Sequence, residues 1–173
     1  YNDEPIVEKV KLSILPNDFL QPSFEGEQTL IKLVLENSDN VKTAIDLFCG
    51  QGTFTRPLLA KGIKTKGYDC SDSVSLLGEN GIKRDLFRSP LLPEELGVDL
   101  VVLDPPRAGA KAQVEQLSET NVPKIIMVSC NPQTAARDCK ILINGGYRLI
   151  KITPVDQFKW SNHIEVVCIL EKM

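Results

Sequence analysis

Ile125-Ile126-Met127-Val128-Ser129-Cys130-Asn131-Pro132 joins an apolar run to a thiol and a turn pair. Four consecutive apolar residues read as a strand buried on both faces of a parallel sheet, and Asn131-Pro132 does not continue it. Cys130 therefore falls at the strand's carboxyl end, the edge at which open α/β sheets bind their ligands. Taken alone, a free cysteine is more often a small buried hydrophobe than a nucleophile. The residues that end the other strands shift that balance.

Upstream, the strand expected over 98–103 ends in Asp104-Pro105-Pro106-Arg107-Ala108-Gly109. Two prolines hold the loop extended and present Asp104 rigidly at the strand tip. The strand Thr43-Ala44-Ile45-Asp46-Leu47-Phe48 runs into Cys49-Gly50-Gln51-Gly52-Thr53-Phe54-Thr55. Two glycines one residue apart let the backbone turn sharply and approach a ligand, and the helix that follows offers free N–H groups. A further strand, Lys64-Thr65-Lys66-Gly67-Tyr68-Asp69, ends on a carboxylate 19 residues after Gly50, the spacing at which an acidic residue takes ribose hydroxyls. Parallel strands with helical crossovers bring Phe48 with its glycines, Asp69, Asp104 and Cys130 to one edge. A nucleoside-containing cofactor fits such a crevice, whereas no GxxxxGK[ST] is present to hold a nucleoside triphosphate.

The remaining elements follow the same alternation. Helices are expected over 28–36, 56–61, 111–119 and 134–143, the last stopped by Asn144-Gly145-Gly146. Little more than two helical turns fit between Asp69 and a brief strand before Asp85. Strands over 147–153 and 164–171 finish the chain, and an imperfect alternation over 6–14 suggests one more near its start.

With 173 residues, 42% hydrophobic and 25% charged, one globular domain is expected. No run approaches the length of a membrane span, and no signal peptide is visible. The five cysteines have no CxxC spacing and meet one histidine, so neither a metal site nor a disulfide framework is indicated and a reducing cytoplasm is the expected setting. A net charge of −3 does not advertise nucleic acid. The chain opens on Tyr1 and reads as a C-terminal piece of a longer protein.

DFLQPS (18–23), DLFCGQGTFT (46–55), LDPPRAG (103–109), VSCNPQTAARD (128–138) and DQFKWSNHIEVV (156–167), in this order, resemble the catalytic domain of the S-adenosylmethionine-dependent RNA uracil-5 methyltransferases. The similarity runs from about Leu12 to Lys172. It implies a Rossmann-like class I methyltransferase fold, α/β, with a seven-stranded, mostly parallel sheet whose last strand is antiparallel. Residues 1–27 would be a lead-in strand and loop, and 28–173 the methyltransferase domain proper. The resemblance makes Cys130 the nucleophile and Glu165 the general base. It places Gln21, Phe48, Gly50, Gly52, Thr53, Asp69, Asp85 and Asp104 on S-adenosylmethionine. Arg107, Phe158, Trp160 and His163 become candidates for holding the target base, beside plain structural roles for the aromatics and the histidine.

The implied substrate is RNA, ribosomal RNA ahead of the alternative of transfer RNA, the implied protein is a cytoplasmic monomer, and no metal site is expected in this chain. Lys159 stands where the family has proline, and the stretch after Asp69 is short. The family's N-terminal β-barrel is expected to lie outside this chain and to carry phosphate contacts that its negative charge does not supply. Other readings are an RNA cytosine-5 methyltransferase and a non-catalytic RNA-binding module. An amino methyltransferase would place an aromatic where Arg107 stands.

Overall fold

The computed structural model describes residues 23–156 and 164–173. The strand expected over 6–14, Gln21, Phe158, Lys159, Trp160 and His163 lie outside them. Among the described residues, helix α1 (Phe24–Glu36) is followed by strand β1 (Thr43–Leu47), helix α2 (Thr55–Ala60) and strand β2 (Lys64–Asp69). A 3₁₀ segment (Asp72–Asn80) leads to β3 (Gly81–Lys83), and then come β4 (Leu100–Leu103), α3 (Lys111–Ser118) and β5 (Lys124–Ser129). Helix α4 (Pro132–Asn144), β6 (Tyr147–Val155) and β7 (Glu165–Lys172) complete the order.

These strands form one seven-stranded sheet in the order β3-β2-β1-β4-β5-β7-β6. Strands β3, β2, β1, β4 and β5 pair in parallel, and β7 runs antiparallel to both β5 and β6, as expected from the motifs. Strand order reverses between β1 and β4, and a ligand crevice opens at such a switch point, outside the carboxyl ends of the strands.

Burial explains why the apolar runs become strands. Every residue of β4 is fully covered, and so are Ile125, Ile126, Met127 and Val128 of β5. Their side chains alternate between two cores. Val101, Leu103, Ile125 and Met127 pack with α3 and α4, while Leu100, Val102, Ile126 and Val128 face Leu30 and Val34 of α1 and Leu58 of α2. Each such aliphatic side chain contributes about 1.5–3 kcal/mol by leaving water.

Helices α1 and α4 start earlier than their apolar periodicity suggests, because caps and not cores set those ends. Ser23 Oγ accepts the Gly26 N–H at 3.0 Å, so α1 begins at Phe24 and runs through position 28. Asn131 Oδ1 accepts the Gln133 N–H at 3.1 Å, and Pro132 fills the first helical position of α4, where its missing N–H costs nothing. The short stretch after β2 is 3₁₀ in character and kinked at Gly78, whose φ is 58°. It must return within a few residues to β3, which pairs beside β2, and the tighter winding covers that span. No helix among the described residues is long and apolar enough to cross a membrane.

Candidate active site

The turn after β1 is built on backbone conformations that side chains resist. Gly50 has φ 54° and Gly52 φ 98°. The Gly50 N–H donates to Asp69 Oδ2 at 2.9 Å, and Asp69 Oδ1 accepts the Ser71 N–H at 2.7 Å. One carboxylate thus ties the turns after β1 and β2 together. A Cβ on Gly50 would meet nothing within 4 Å, leaving the backbone open to a ligand, whereas one on Gly52 would lie 2.4 Å from Leu77 Cδ2. Gly50 lines the cavity described next and Gly52 does not; the second glycine serves packing against the 3₁₀ segment. Gly52→Ala is expected to lower stability by about 1–3 kcal/mol through its left-handed φ and the repacking of Leu77. A urea midpoint equal to that of the wild type would contradict this.

A cavity of about 480 Å³ opens at the carboxyl edge of the sheet. Of the residues expected there, Phe48, Gly50, Thr53, Asp69, Asp104, Arg107, Cys130 and Glu165 line it. Asp85 does not. Its Oδ1 accepts the Phe87 and Arg88 N–H groups at 3.0 and 3.2 Å, and so shapes the turn that carries Phe87 into the lining. Phe87 had no signal in the sequence, being one aromatic in an irregular loop. Its ring lies 5.3 Å from that of Phe48, tilted by 55°, within the range of favourable aromatic pairs. Phe48 itself has φ 62°, an uncommon conformation for a bulky residue and one that ligand sites collect.

Cys130 and Glu165 meet through the sheet. Strands β5 and β7 pair Val128 with Val167 and Ser129 with Val166; the next step of that register would set Cys130 opposite Glu165, whose charge acts on the thiol. Directly opposite residues of antiparallel strands share a face, about 5 Å apart at Cα. Glu165 is buried, 3% exposed, and Cys130 half-buried. Burial, and after it the charges of Glu165 and Asp104, raises the Cys130 thiol above its ordinary pKa, while Arg107 pulls it down. Asp104 shows part of its surface to the cavity, yet its carboxyl is enclosed. Burial first, then Glu165, Asp46 and Asp69, holds it well above the usual carboxylate range. The carboxyl groups around the crevice therefore disfavour the thiolate form of Cys130.

The polar face of α4 holds the Pro105-Pro106 loop against the Cys130 turn. Asn131 Nδ2 and Thr134 Oγ1 donate to the Arg107 carbonyl at 3.1 and 3.3 Å, and Arg137 donates to the Ala108 carbonyl at 3.1 Å. Asp138, 1% exposed, accepts the Ala110 N–H at 2.9 Å and pairs with Arg137. The residues of the sequence VSCNPQTAARD that follow its cysteine thus fix the neighbouring loop in place.

Beneath the glycine turn lies a carboxyl group that sequence reading passed over as part of a strand. Asp46 is fully buried; Thr55 Oγ1 donates to its Oδ2 at 2.6 Å, and Oδ1 has no hydrogen-bond partner among the described residues. Burial, opposed by the Thr55 hydrogen bonds, pushes its pKa up to about 7. An acid whose folded pKa is raised stabilises the fold fully below its unfolded value of 3.8, and that stability is lost as pH climbs through about 7. Three units correspond to about 4 kcal/mol. Asp46→Asn should flatten the fall in unfolding free energy between about pH 4 and 7 by that order, and coincident slopes for variant and wild type would refute it.

The sheet order with its antiparallel β7 is that of the Rossmann-like class I methyltransferase fold. A magnesium protoporphyrin IX methyltransferase from Synechocystis, with a TM-score of 0.62, 15% identity and 86% of this chain and 79% of that one covered, shares the fold alone. The model of the tRNA (uracil-5-)-methyltransferase family matches residues 90–173. An RNA methyltransferase of Agrobacterium fabrum is 42% identical over 183 residues, which cover 98% of this chain and 44% of that protein. A 23S rRNA (uracil(1939)-C(5))-methyltransferase of Photorhabdus laumondii is 33% identical, with 96% of this chain and 41% of the relative covered. The Pyrococcus abyssi tRNA (uracil-54, C5)-methyltransferase, solved with S-adenosyl-L-homocysteine, superposes with a TM-score of 0.78 at 31% identity, covering 91% of this chain and 41% of that one. The chain is similar to RNA uracil-5 methyltransferases, and it spans less than half the length of these relatives.

Proposed function

We propose that this chain is the catalytic part of an S-adenosylmethionine-dependent enzyme that methylates carbon 5 of a uridine in ribosomal RNA through a covalent bond to Cys130. The observation that carries the reading is the meeting of Cys130, Glu165 and Asp104 in one cavity with the Gly50 turn and Asp69. The residues fit the cofactor. Gly50 leaves its surroundings open, Asp69 stands where a ribose diol is taken, and an acidic lining suits a sulfonium cation. When bound, the cofactor supplies an electrophilic methyl group.

The chain's own residues perform the rest. Cys130 loses its proton to solvent and bonds through Sγ to carbon 6 of the uracil, moving the ring's electrons toward the carbonyl at carbon 4 and making carbon 5 nucleophilic. Once carbon 5 carries the methyl group, Glu165 removes its remaining proton, the double bond re-forms, and the sulfur leaves as thiolate. Asp104 and the Pro105-Pro106-Arg107 loop wall the cavity between these groups, with Arg107 supplying a positive charge near the thiol. Gln21, Asp85, Phe158, Trp160 and His163 keep the roles the resemblance implies for them. The rest of the protein carries the phosphate contacts, in line with the −3 charge of this part, and the assembly acts as a monomer in the cytoplasm.

Ribosomal RNA is favoured by the relative named for 23S rRNA, while the archaeal structure is named for transfer RNA. The test is mass spectrometry of the full-length protein with S-adenosylmethionine and 5-fluorouridine-substituted RNA. Fluorine at carbon 5 cannot be removed as a proton, so an adduct on the Cys130 peptide should persist. Bound cofactor without an adduct on any ribosomal or transfer RNA substrate would favour a non-catalytic RNA-binding module or another target base.

A further inference from the structure

Gln51 has no part in the reaction described above. It stands between two left-handed glycines in the turn after β1, and it lines the cavity. Its side chain is 7% exposed, and Oε1 has no hydrogen-bond partner among the described residues. Its backbone carbonyl accepts Arg56 Nε at 3.0 Å, so the main chain is anchored while the side chain is left unsatisfied. Buried amide oxygens nearly always find a donor, and an apolar side chain would fill the same place without desolvating one. A ligand in the cavity that donates a hydrogen bond would satisfy it.

Its identity rests on the cofactor reading. Three groups surround the sulfur of S-adenosylmethionine. Asp69 takes the ribose at the end of β2, and Cys130 with Glu165 fixes where the methyl group must go, at the ends of β5 and β7. The third group, the amino-acid chain, is left with the wall between them, which Gln51 and Thr53 line. That chain ends in an α-ammonium, which only donates hydrogen bonds, and a carboxylate, which only accepts them. Asp69 and Glu165 line the same cavity, and their carboxylates favour a cationic group there over an anionic one.

We propose that Gln51 is a specificity-determining residue of the cofactor pocket, its amide oxygen accepting a hydrogen bond from the α-ammonium of S-adenosylmethionine. Titration calorimetry of the full-length protein tests this with two probes. S-adenosylhomocysteine carries the whole amino-acid end; 5′-methylthioadenosine lacks it. In Gln51→Leu the homocysteine compound should bind about ten-fold or more weakly, the loss of a hydrogen bond to a charged group, while methylthioadenosine keeps its affinity within about two-fold. Gln51→Glu retains an acceptor and should bind S-adenosylhomocysteine at least as tightly as the wild type. Equal loss of both probes in the leucine variant would make Gln51 structural and overturn the assignment, as would an unchanged affinity for S-adenosylhomocysteine or a glutamate variant as weak as the leucine one. A wild type that binds neither probe would overturn the cofactor reading itself, and this assignment with it.

Discussion

If Cys130 is the proposed nucleophile, Cys130→Ala should abolish methyl transfer, with turnover falling by at least about 10⁴-fold, or roughly 5.5 kcal/mol of transition-state stabilisation. The size follows from the chemistry: without a bond to carbon 6, carbon 5 of uracil is too weak a nucleophile. No neighbouring thiol takes over. Cys49 is buried beside the β1 turn, and Cys70 follows Asp69 at the end of β2, which is separated from β5 in the sheet by β1 and β4. Cofactor affinity should stay within about three-fold of the wild type, since an uncharged thiol is exchanged for a methyl group away from Asp69 and the glycine turn. Radiolabelled methyl incorporation beside calorimetry separates the two effects. Turnover within ten-fold of the wild type would exclude covalent catalysis by this residue.

On the proposed mechanism, Glu165→Gln should arrest the same reaction one step later. Methyl transfer should occur once without removal of the proton on carbon 5, so an RNA-linked protein should accumulate while turnover falls by about 10²–10⁴-fold. The substitution also acts on its neighbours. Glu165 raises the pKa of both Cys130 and Asp104, so removing its charge lowers both, and the thiol ionises at a lower pH than in the wild type. The pH profile of adduct formation with 5-fluorouridine RNA should accordingly shift to the acid side. A shift to the alkaline side, or rapid turnover with no accumulated adduct, would remove Glu165 from the role of base.

Residues that end strands were legible because two simple rules place them. An apolar run becomes a buried strand, and parallel strands bring their carboxyl ends together, so Phe48, Asp69, Asp104 and Cys130 converge without knowledge of any contact. What escaped the sequence depends on the third dimension. Phe87 reaches the cavity because Asp85 folds an irregular turn, and nothing in its own spacing says so. Asp46 looks like one polar residue in a short strand until its partner Thr55, nine residues later, is seen covering it. Gln51 occupies the variable place between two informative glycines, and only its unsatisfied oxygen gives it away. At Gly52 the motif points to a ligand, while the packing contact with Leu77 depends on a neighbour that the sequence does not reveal. Helix starts at Phe24 and Pro132 were within reach of capping rules, since Ser23 and Asn131 both precede them.

The pairing of β5 with β7 acts as a ruler between thiol and carboxylate. The chain passes through α4 and β6 to get from Cys130 to Glu165, yet neither element measures their separation; the adjoining ladder does. Insertions or a chain break between α4 and β6 therefore leave the nucleophile and base equally spaced, and a new RNA-contacting loop can be grafted there without retuning the chemistry. Removing a single residue from β7 just after Glu165 has the reverse effect, because side chains alternate and the carboxylate would swing to the opposite face of the sheet. Variation among related sequences should accordingly be free in length between these two positions and strict in length within the last strand.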